Sequence, residues 1–201
     1  MKRASFVVFE GIDGSGKSTQ VAALAEALTE GGARVLATRE PTDGATGRRI
    51  RAMATSGESV APEQELAWFV EDRREHVEQV IRPALADGRV VVCDRYFLST
   101  VAYQGARGLD WRAILAESER AFPLPDLAIL LQVDPGTGLA RTRLRGRPAE
   151  PAFEALDYLE RVAAIFAAID RPYVERIDAR RDAGAVGTAV RAAVQARLGL
   201  L

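Results

Sequence analysis

A glycine-rich segment after the first apolar run has the residue types and spacing that bind phosphate. Residues 11–18 read GIDGSGKS, a complete G-x-x-x-x-G-K-[ST] pattern. Glycines let the backbone turn so that successive N–H groups converge on phosphate oxygens, and the N-terminus of a following helix favours the same anion. In such a loop Lys17 contacts the β- and γ-phosphates. We therefore predict a site for ATP, or another nucleoside triphosphate, made by Gly11, Asp13, Gly14, Ser15, Gly16, Lys17, Ser18 and Thr19.

Two oxygen-bearing side chains are predicted to hold Mg²⁺ beside this loop. The hydroxyl of Ser18 is the loop's own magnesium ligand in the pattern. Asp94 ends the apolar run 89–94, and a carboxylate at the end of a buried strand next to a phosphate loop commonly holds Mg²⁺ through water. The loop alone does not say whether water or a second substrate accepts the γ-phosphoryl group.

Arginines cluster after the other apolar runs, where they favour a second phosphorylated substrate. Arg39 and Arg51 follow the second run, and Arg95 follows the third. Guanidinium groups bind phosphate oxygens bidentately, and one triphosphate does not need so many of them. The alternative is a salt-bridged surface, which is as plausible for Arg48 and Arg49.

One helical pattern carries an aromatic and a basic residue on the same face. In the helix predicted after Pro62, Phe69, Arg73 and His76 lie at i, i+4 and i+7. An aromatic ring beside a guanidinium could stack a flat base and hydrogen-bond its edge. The alternative is structural: Phe69 in the core, Arg73 paired with an acid and His76 solvated.

Arginines also recur after the fourth apolar run. Arg141, Arg143, Arg145 and Arg147 occupy alternate positions. They could form a solvated face, or a mobile lid over about residues 141–152. Such a lid would bring positive charge to the transferred phosphoryl group and exclude water. Asp134, before Pro135, is explained as a helix N-cap.

The elements that would position these residues alternate between strand and helix. Apolar runs predict strands over 5–10, 33–38, 89–94, 126–133 and 173–178, and helical periodicity predicts helices over 17–30, 62–85, 111–121, 153–170 and 182–198. This order implies an α/β fold, a P-loop NTPase-type parallel sheet with helices on both faces. No linker divides the chain, so we expect one domain over 1–201.

Composition excludes several classes of protein. The chain has 27 basic and 28 acidic residues, a net charge of −1 and 48% hydrophobic residues, typical of globular proteins and without the basic excess of nucleic-acid or membrane-surface binders. The single Cys93 cannot form an internal disulfide. Too few apolar residues follow the N-terminus for a signal peptide, and no apolar run approaches the ~18 residues that span a bilayer. We expect a cytoplasmic protein that binds neither nucleic acid nor membrane.

Beyond the phosphate loop, short motifs follow one another in a characteristic order. They are residues 9–20 (FEGIDGSGKSTQ), 38–41 (TREP), Phe69 with Asp72-Arg73 and His76, 93–96 (CDRY), Ser99, 102–105 (AYQG) and 177–179 (IDA). Together they resemble the thymidylate kinase family over nearly the whole chain. The resemblance implies transfer of the γ-phosphoryl group of ATP to dTMP with Mg²⁺, for dTTP synthesis, and a homodimer.

The resemblance also implies roles for individual residues. Phe69 would stack on thymine and Arg73 would bond to its edge, while Tyr103 would pack where a ribose 2′-hydroxyl would project. Arg39, Arg51 and Arg95 would hold the acceptor phosphate. The remaining acceptor-binding residues implied are Asp13, Pro41, Ser99, Thr100 and Gln104. No catalytic role is assigned to His76, a surface or supporting residue, or to Cys93, a buried strand residue.

Some family members carry a catalytic basic residue in the phosphate loop, whereas others keep glycine there and supply arginines from the lid. This chain has Gly14 and an arginine-rich lid, so it resembles the second kind. The catalytic residues implied are Lys17, Arg95, Arg143, Arg145 and Arg147, and which lid arginine reaches the phosphoryl group stays open.

The chain departs from the family at three places. One is Trp68, at a position where the family is usually aliphatic, and we expect this side chain to serve packing. Residues 42–44 read Thr-Asp-Gly where many bacterial members have Gly-Gly, and the familiar Asp-Arg-x-Glu is not evident in the lid. Two other functions therefore stay open. One is a kinase for another deoxynucleoside monophosphate or a deoxynucleoside. The other is a P-loop regulatory or motor ATPase with no small acceptor, which leaves the arginine clusters unexplained.

Overall fold

A computed structural model describes residues 4–56, 59–144 and 156–201. Five strands form one parallel sheet in the order β2-β3-β1-β4-β5. The strands are β1 (Ser5–Glu10), β2 (Val35–Arg39), β3 (Val90–Asp94), β4 (Leu127–Gln132) and β5 (Val174–Asp178). The α/β fold with a parallel sheet is therefore confirmed.

Helices cover both faces of this sheet. They are α1 (Lys17–Glu30), α2 (Ala45–Ser56), α3 (Pro62–His76), α4 (Arg82–Ala86), α5 (Phe97–Ala106), α6 (Trp111–Ala121), α7 (Pro135–Leu144), α8 (Leu156–Ala168) and α9 (Ala183–Leu198). Side chains of β1 alternate between two cores: Phe6 and Val8 pack with residues of α2–α8, while Val7 and Phe9 pack with α1 and α9. The central strands are buried on both faces, as their continuous apolar sequence predicts.

Helices α2 and α5 were not predicted from the sequence, and of α7 only the N-cap residue, Asp134, was predicted. One predicted helix is not a single regular helix. The charged residues and Gly47 of α2 hide its apolar positions, and α5 is so completely buried that it has no polar face. The helix predicted over 62–85 consists of α3, a π-helical turn (Val77–Ile81) and α4. This wider turn precedes Pro83, which has no N–H to donate to the preceding turn.

Because all strands are parallel, their carboxyl ends meet at one edge of the sheet. The loops after β1, β2 and β3 lie there side by side: the main-chain N–H of Glu40 donates to the carbonyl of Asp94, and that of Arg95 to the carbonyl of Phe9. Asp134, after β4, caps α7 as predicted, since its Oδ1 accepts from the N–H of Thr137 at 2.8 Å. Within the described ranges, no helix has the length and apolar character needed to cross a bilayer.

Candidate active site

The loop after β1 has the backbone shape of a phosphate cradle. Gly11, Gly14 and Gly16 adopt φ angles of 137°, 77° and 97°, which L side chains rarely allow, and α1 begins immediately after them. The Nζ of Lys17 donates to the carbonyls of Gly11 and Ile12 at 3.0 and 2.9 Å. Burial and, after it, the nearby guanidinium of Arg95 lower the pKa of Lys17 to about 8, although the carboxylates of Asp13 and Asp94 oppose the shift. The ammonium is therefore charged below about pH 8 and lies where phosphates would meet the loop.

The two predicted magnesium ligands lie in contact. The Oγ of Ser18 donates to Oδ2 of Asp94 at 2.5 Å, at the N-terminus of α1 and the end of β3. A hydroxyl and a carboxylate are hard oxygen donors, which Mg²⁺ prefers, and Mg²⁺ usually takes only one or two protein ligands beside phosphates and water. These two residues therefore fit the ion that the fold implies.

A cleft of about 260 Å³ opens beside the cradle, between the ends of β2 and β3 and helices α2, α3 and α5. It brings together most of the acceptor-binding residues named from the sequence: Asp13, Arg39, Pro41, Arg51, Phe69, Arg95, Ser99, Thr100 and Tyr103. Arg73 and Gln104 do not line it. The fully buried Gln104 instead donates its amide to Oε1 of Glu65 at 2.6 Å.

Arg95, Asp13 and Tyr103 form a network on one wall of the cleft. The Nη2 of Arg95 donates to Oδ1 of Asp13 at 2.6 Å, and the hydroxyl of Tyr103 donates to Oδ2 at 2.9 Å. Burial raises the pKa of Asp13, but the charges of Arg95 and Lys17 outweigh burial and lower it to about 2. Arg95 has φ 71°, a left-handed conformation that is costly outside glycine and asparagine. The network holds the Arg95 guanidinium at the point where the cradle and the cleft meet.

A second carboxylate, Glu10, lies beneath this wall and was not found from the sequence. Its Oε1 accepts from the main-chain N–H of Tyr96 at 2.9 Å, and its Oε2 accepts from the hydroxyl of Ser99. Burial raises the pKa of Glu10 to about 7, although Ser99 and Arg95 oppose the rise. Glu10 ends β1, and the only signal in the sequence is a carboxylate at the end of an apolar run. It fixes the start of α5, which carries Ser99.

Two of the predicted phosphate-binding arginines converge on a carboxylate of the chain. Nη2 of Arg39 and Nη2 of Arg51 lie 2.8 and 3.0 Å from Oδ1 of Asp43. Arg48 and Arg49 do not reach the cleft: Arg48 donates to the carbonyl of Asp43 at 2.5 Å, and Arg49 packs 3.8 Å over the ring of Trp68. These two arginines are exposed, as the surface alternative expected, but among the described residues neither forms the expected salt bridge.

The three residues on the α3 face have different surroundings. Phe69 lines the cleft, whereas Arg73 and His76 are buried below it. Arg73 donates Nε to Glu40 at 2.9 Å and Nη2 to Thr100 at 2.8 Å. Its Nη1 is buried and has no hydrogen-bond partner among the described residues.

The suggestion that His76 is solvated is wrong. Its Nδ1 lies 3.0 Å from Oε1 of Glu40 and its Nε2 lies 2.7 Å from Oγ1 of Thr38, so it supports the buried carboxylate that also holds Arg73. Cys93 is fully buried, as expected for a residue of a central strand.

A groove of about 360 Å³ lies on the other side of the cradle, between α1, α7 and the start of α9. Thr19, Arg141 and Arg181 line it, and Arg141 is anchored by a 2.8 Å hydrogen bond to the carbonyl of Ala179. Arg143 is exposed in the last turn of α7. Arg145 and Arg147, and with them most of the predicted lid, lie outside the described residues.

Comparison with known proteins agrees with this geometry. The family model described as "Thymidylate kinase" matches residues 9–189, nearly the whole chain. The chain belongs to the thymidylate kinase family. A thymidylate kinase of Xanthomonas campestris pv. campestris (strain B100) is 48% identical over 192 residues, covering 96% of this chain and 83% of that protein. One from Desulfotalea psychrophila is 46% identical over 174 residues, covering 86% and 85%.

A solved structure gives the same result. The crystal structure of thymidylate kinase from Ehrlichia chaffeensis superposes with a TM-score of 0.76 at 30% identity, over 96% of this chain and 99% of the other. The enzyme is therefore a nucleoside monophosphate kinase of the thymidylate kinase family. A regulatory ATPase without a small acceptor is not favoured.

Proposed function

We propose that the 260 Å³ cleft binds dTMP with its phosphate toward Arg95, Arg39 and Arg51, and that the cradle binds the phosphates of ATP. The reaction is that of the family, ATP-dependent phosphorylation of dTMP to dTDP with release of ADP. The observation that carries the proposal is the position of Arg95. It lines the cleft and also lies within 3.5 Å of the carbonyl of Gly11 in the cradle, so that one guanidinium borders both anion sites.

The thymine ring would stack on Phe69, the aromatic ring of the cleft's α3 wall. Two features support recognition of the base edge below it. Thr100 lines the cleft and accepts from Arg73, and Nη1 of Arg73 has a donor hydrogen with no partner in the described chain. A buried donor without a partner is costly, so a carbonyl oxygen of the base would relieve that cost. Since Arg73 does not line the cleft in this structure, the proposal requires the floor of the cleft to open toward Nη1 when the base binds.

The deoxyribose would lie against Tyr103. Burial raises the pKa of this phenol, and the Asp13 carboxylate raises it further, so the hydroxyl stays neutral and bonded to Asp13. The ring is therefore fixed in place. A ribose 2′-hydroxyl directed at it would have to displace this hydrogen bond, which favours a deoxynucleotide.

Transfer requires positioning and electrostatics, because a phosphate oxygen of dTMP is already an adequate nucleophile. A new P–O bond forms between that oxygen and the γ-phosphorus of ATP as the bond to the bridging β–γ oxygen breaks, and ADP leaves. Lys17 and Arg95 meet the developing negative charge. Mg²⁺ on Ser18 and Asp94 would supply further charge to the ATP phosphates when bound. We propose that Arg143, Arg145 and Arg147, in a lid over about residues 141–152, complete this charge and exclude water.

The adenosine of ATP would occupy the groove on the far side of the cradle, beside Arg141 and Thr19. This groove and the acceptor cleft both border Gly16, so the two nucleosides would lie on opposite sides of the transferred phosphoryl group. Such an arrangement suits in-line transfer.

A homodimer and a cytoplasmic location remain proposals. Family resemblance supports the dimer, and sedimentation velocity of the purified chain tests it. The single cysteine, buried in β3, supports a reducing compartment. The balanced charge offers no support for a nucleic-acid partner.

Steady-state ADP release tests the acceptor assignment. Rates would be compared for dTMP, dUMP, dCMP, dGMP and thymidine at saturating Mg·ATP. We expect kcat/KM to be highest for dTMP, and thymidine to be a poor acceptor because it lacks the phosphate that the arginines hold. A higher kcat/KM for another nucleotide would show that the cleft binds that nucleotide, and not dTMP, as the preferred acceptor.

A further inference from the structure

The carboxylate of Asp43 lies on the arginines that we assign to the acceptor phosphate. Arg39 donates Nη2 to both carboxylate oxygens of Asp43, at 2.8 and 3.1 Å. Arg51 donates Nη2 to Oδ1 at 3.0 Å. A carboxylate and a phosphate present the same oxygen pattern to a guanidinium. Asp43, in the segment that departs from the family, therefore occupies guanidinium donors that we assign to the acceptor phosphate, although Asp43 itself does not line the cleft.

The main chain around Asp43 is held firmly. The main-chain N–H and the hydroxyl of Thr42 donate to Asp72 at 2.9 and 2.6 Å. Arg51 donates Nη1 to the carbonyl of Thr42 at 2.6 Å. A Cβ on Gly47 would lie 2.0 Å from that same carbonyl, so the first turn of α2 packs directly against the segment. The backbone at Asp43 has little freedom to move.

The side chain of Asp43, in contrast, is exposed, and among the described residues only its pairing with Arg39 and Arg51 holds the carboxylate in place. It is 73% exposed and borders a cavity of about 640 Å³ between α1 and α3, which meets the acceptor cleft at Ser18, Arg39 and Asp94. The hydrogen bond from Arg39, then its charge, lowers the pKa of Asp43, so the carboxylate is ionised throughout the neutral range. Rotation of this side chain into the 640 Å³ cavity would release both guanidinium groups.

We propose that Asp43 is a built-in competitor for the acceptor-phosphate site, whose carboxylate must leave Arg39 and Arg51 before dTMP can bind them. The inference rests on the proposed assignment of these arginines. The phosphate of dTMP prevails because it carries more charge and also reaches Arg95. The competition weakens acceptor binding and leaves the cradle untouched. Asp43 thus sets the KM for dTMP without contributing to phosphoryl transfer.

The test compares wild type with Asp43→Asn and Asp43→Ala in steady-state kinetics and in calorimetric titrations of dTMP and thymidine. Loss of an exposed charge pair changes affinity by a small factor, so we expect the KM and Kd for dTMP to fall about two- to fivefold in both variants. The decrease should shrink as ionic strength rises. The kcat and the KM for ATP should stay unchanged, and so should the Kd of thymidine, which has no phosphate.

Asp87→Asn is the matched control. Asp87 pairs with Arg34 at 2.5 Å, in an exposed ion pair near the amino ends of β2 and β3, away from the site at their carboxyl ends, and its loss should leave every constant unchanged. An unchanged or raised KM for dTMP in both Asp43 variants would overturn the proposal, since Asp43 would then be neutral or would pre-organise the arginines.

Arg51→Ala tests the assignment of the acceptor-phosphate site separately from the competing role of Asp43. A raised KM for dTMP in this variant, with no effect of either Asp43 substitution, would refute the competitor and keep the phosphate assignment. An unchanged KM for dTMP in Arg51→Ala would show that Arg51 does not bind the acceptor phosphate. The competing role of Asp43 would then be refuted as well.

Discussion

The backbone of Gly14 in the phosphate cradle packs against the backbone of Gly138 in α7. A Cβ added to Gly14 would lie 2.0 Å from the carbonyl oxygen of Gly138, and one added to Gly138 would lie 2.6 Å from the carbonyl oxygen of Asp13. No side chain fits at position 14, where some family members carry a basic residue. The contact therefore gives a steric reason why positive charge beyond that of Lys17 must reach the phosphoryl group from outside the loop.

This packing predicts that Gly14→Ala loses both stability and activity. The φ of 77° alone costs about 1–2 kcal/mol for a non-glycine residue, and the clash with α7 adds to that cost. We expect kcat/KM to fall at least tenfold. Gly88→Ala is the control, because Gly88 has φ 74° with open space around its Cβ position. Chemical denaturation should show a larger loss for Gly14→Ala, and equal losses would contradict the clash.

Lys17→Met should abolish transfer while the fold persists. The side chain is similar in length, but it cannot offset the charge that develops on the γ-phosphoryl group. Loss of one such electrostatic contact typically reduces kcat by about a hundredfold or more. ADP release measures the rate, and thermal unfolding should give a midpoint within a few degrees of wild type. Near-normal kcat in this variant would show that Lys17 does not act on the phosphates of ATP.

The pH dependence of ATP use should report the ionisation of Lys17. Its pKa of about 8 in the free enzyme means that the ammonium is lost as the pH rises through 8, so kcat/KM for ATP should fall above that pH. The kcat profile should fall only at higher pH, because bound phosphates favour the charged form. Lys17→Arg should lack the alkaline limb below pH 10. Retention of that limb in Lys17→Arg would assign it to another group.

Phe69→Ala should weaken acceptor binding selectively. Stacking of a base on an aromatic ring contributes about 1–3 kcal/mol, so we expect the KM for dTMP to rise roughly 5- to 100-fold. The KM for ATP should change less than twofold. Trp68→Phe is the neighbouring control, since Trp68 is buried under Arg49 and does not line the cleft. Equal effects of the two substitutions would indicate a general loss of α3 packing.

Local features of the sequence predicted the cradle and the sheet well. The phosphate loop is encoded in eight consecutive residues, and α1 and α6 have the predicted bounds because their periodicity is undisturbed. The π-helical turn before Pro83 could not be anticipated, since the apolar pattern of 62–85 continues across it.

Features that depend on tertiary packing could not be predicted. Ile50 and Ala54 line the acceptor cleft from α2, a helix whose arginines mask its apolar face. The role of Glu10 depends on its burial against the start of α5. Asp43 pairs with both Arg39 and Arg51 only because α2 places Arg51 next to it. No spacing along the chain encodes such contacts.

The proposed function requires that two anion sites be occupied at the same time, and calorimetry measures this directly. dTMP would be titrated into the enzyme already saturated with Mg²⁺ and a non-hydrolysable ATP analogue. We predict binding of one dTMP per chain without release of the analogue. Absence of heat for dTMP and for every other nucleoside monophosphate, or displacement of the analogue by dTMP, would contradict two adjoining sites.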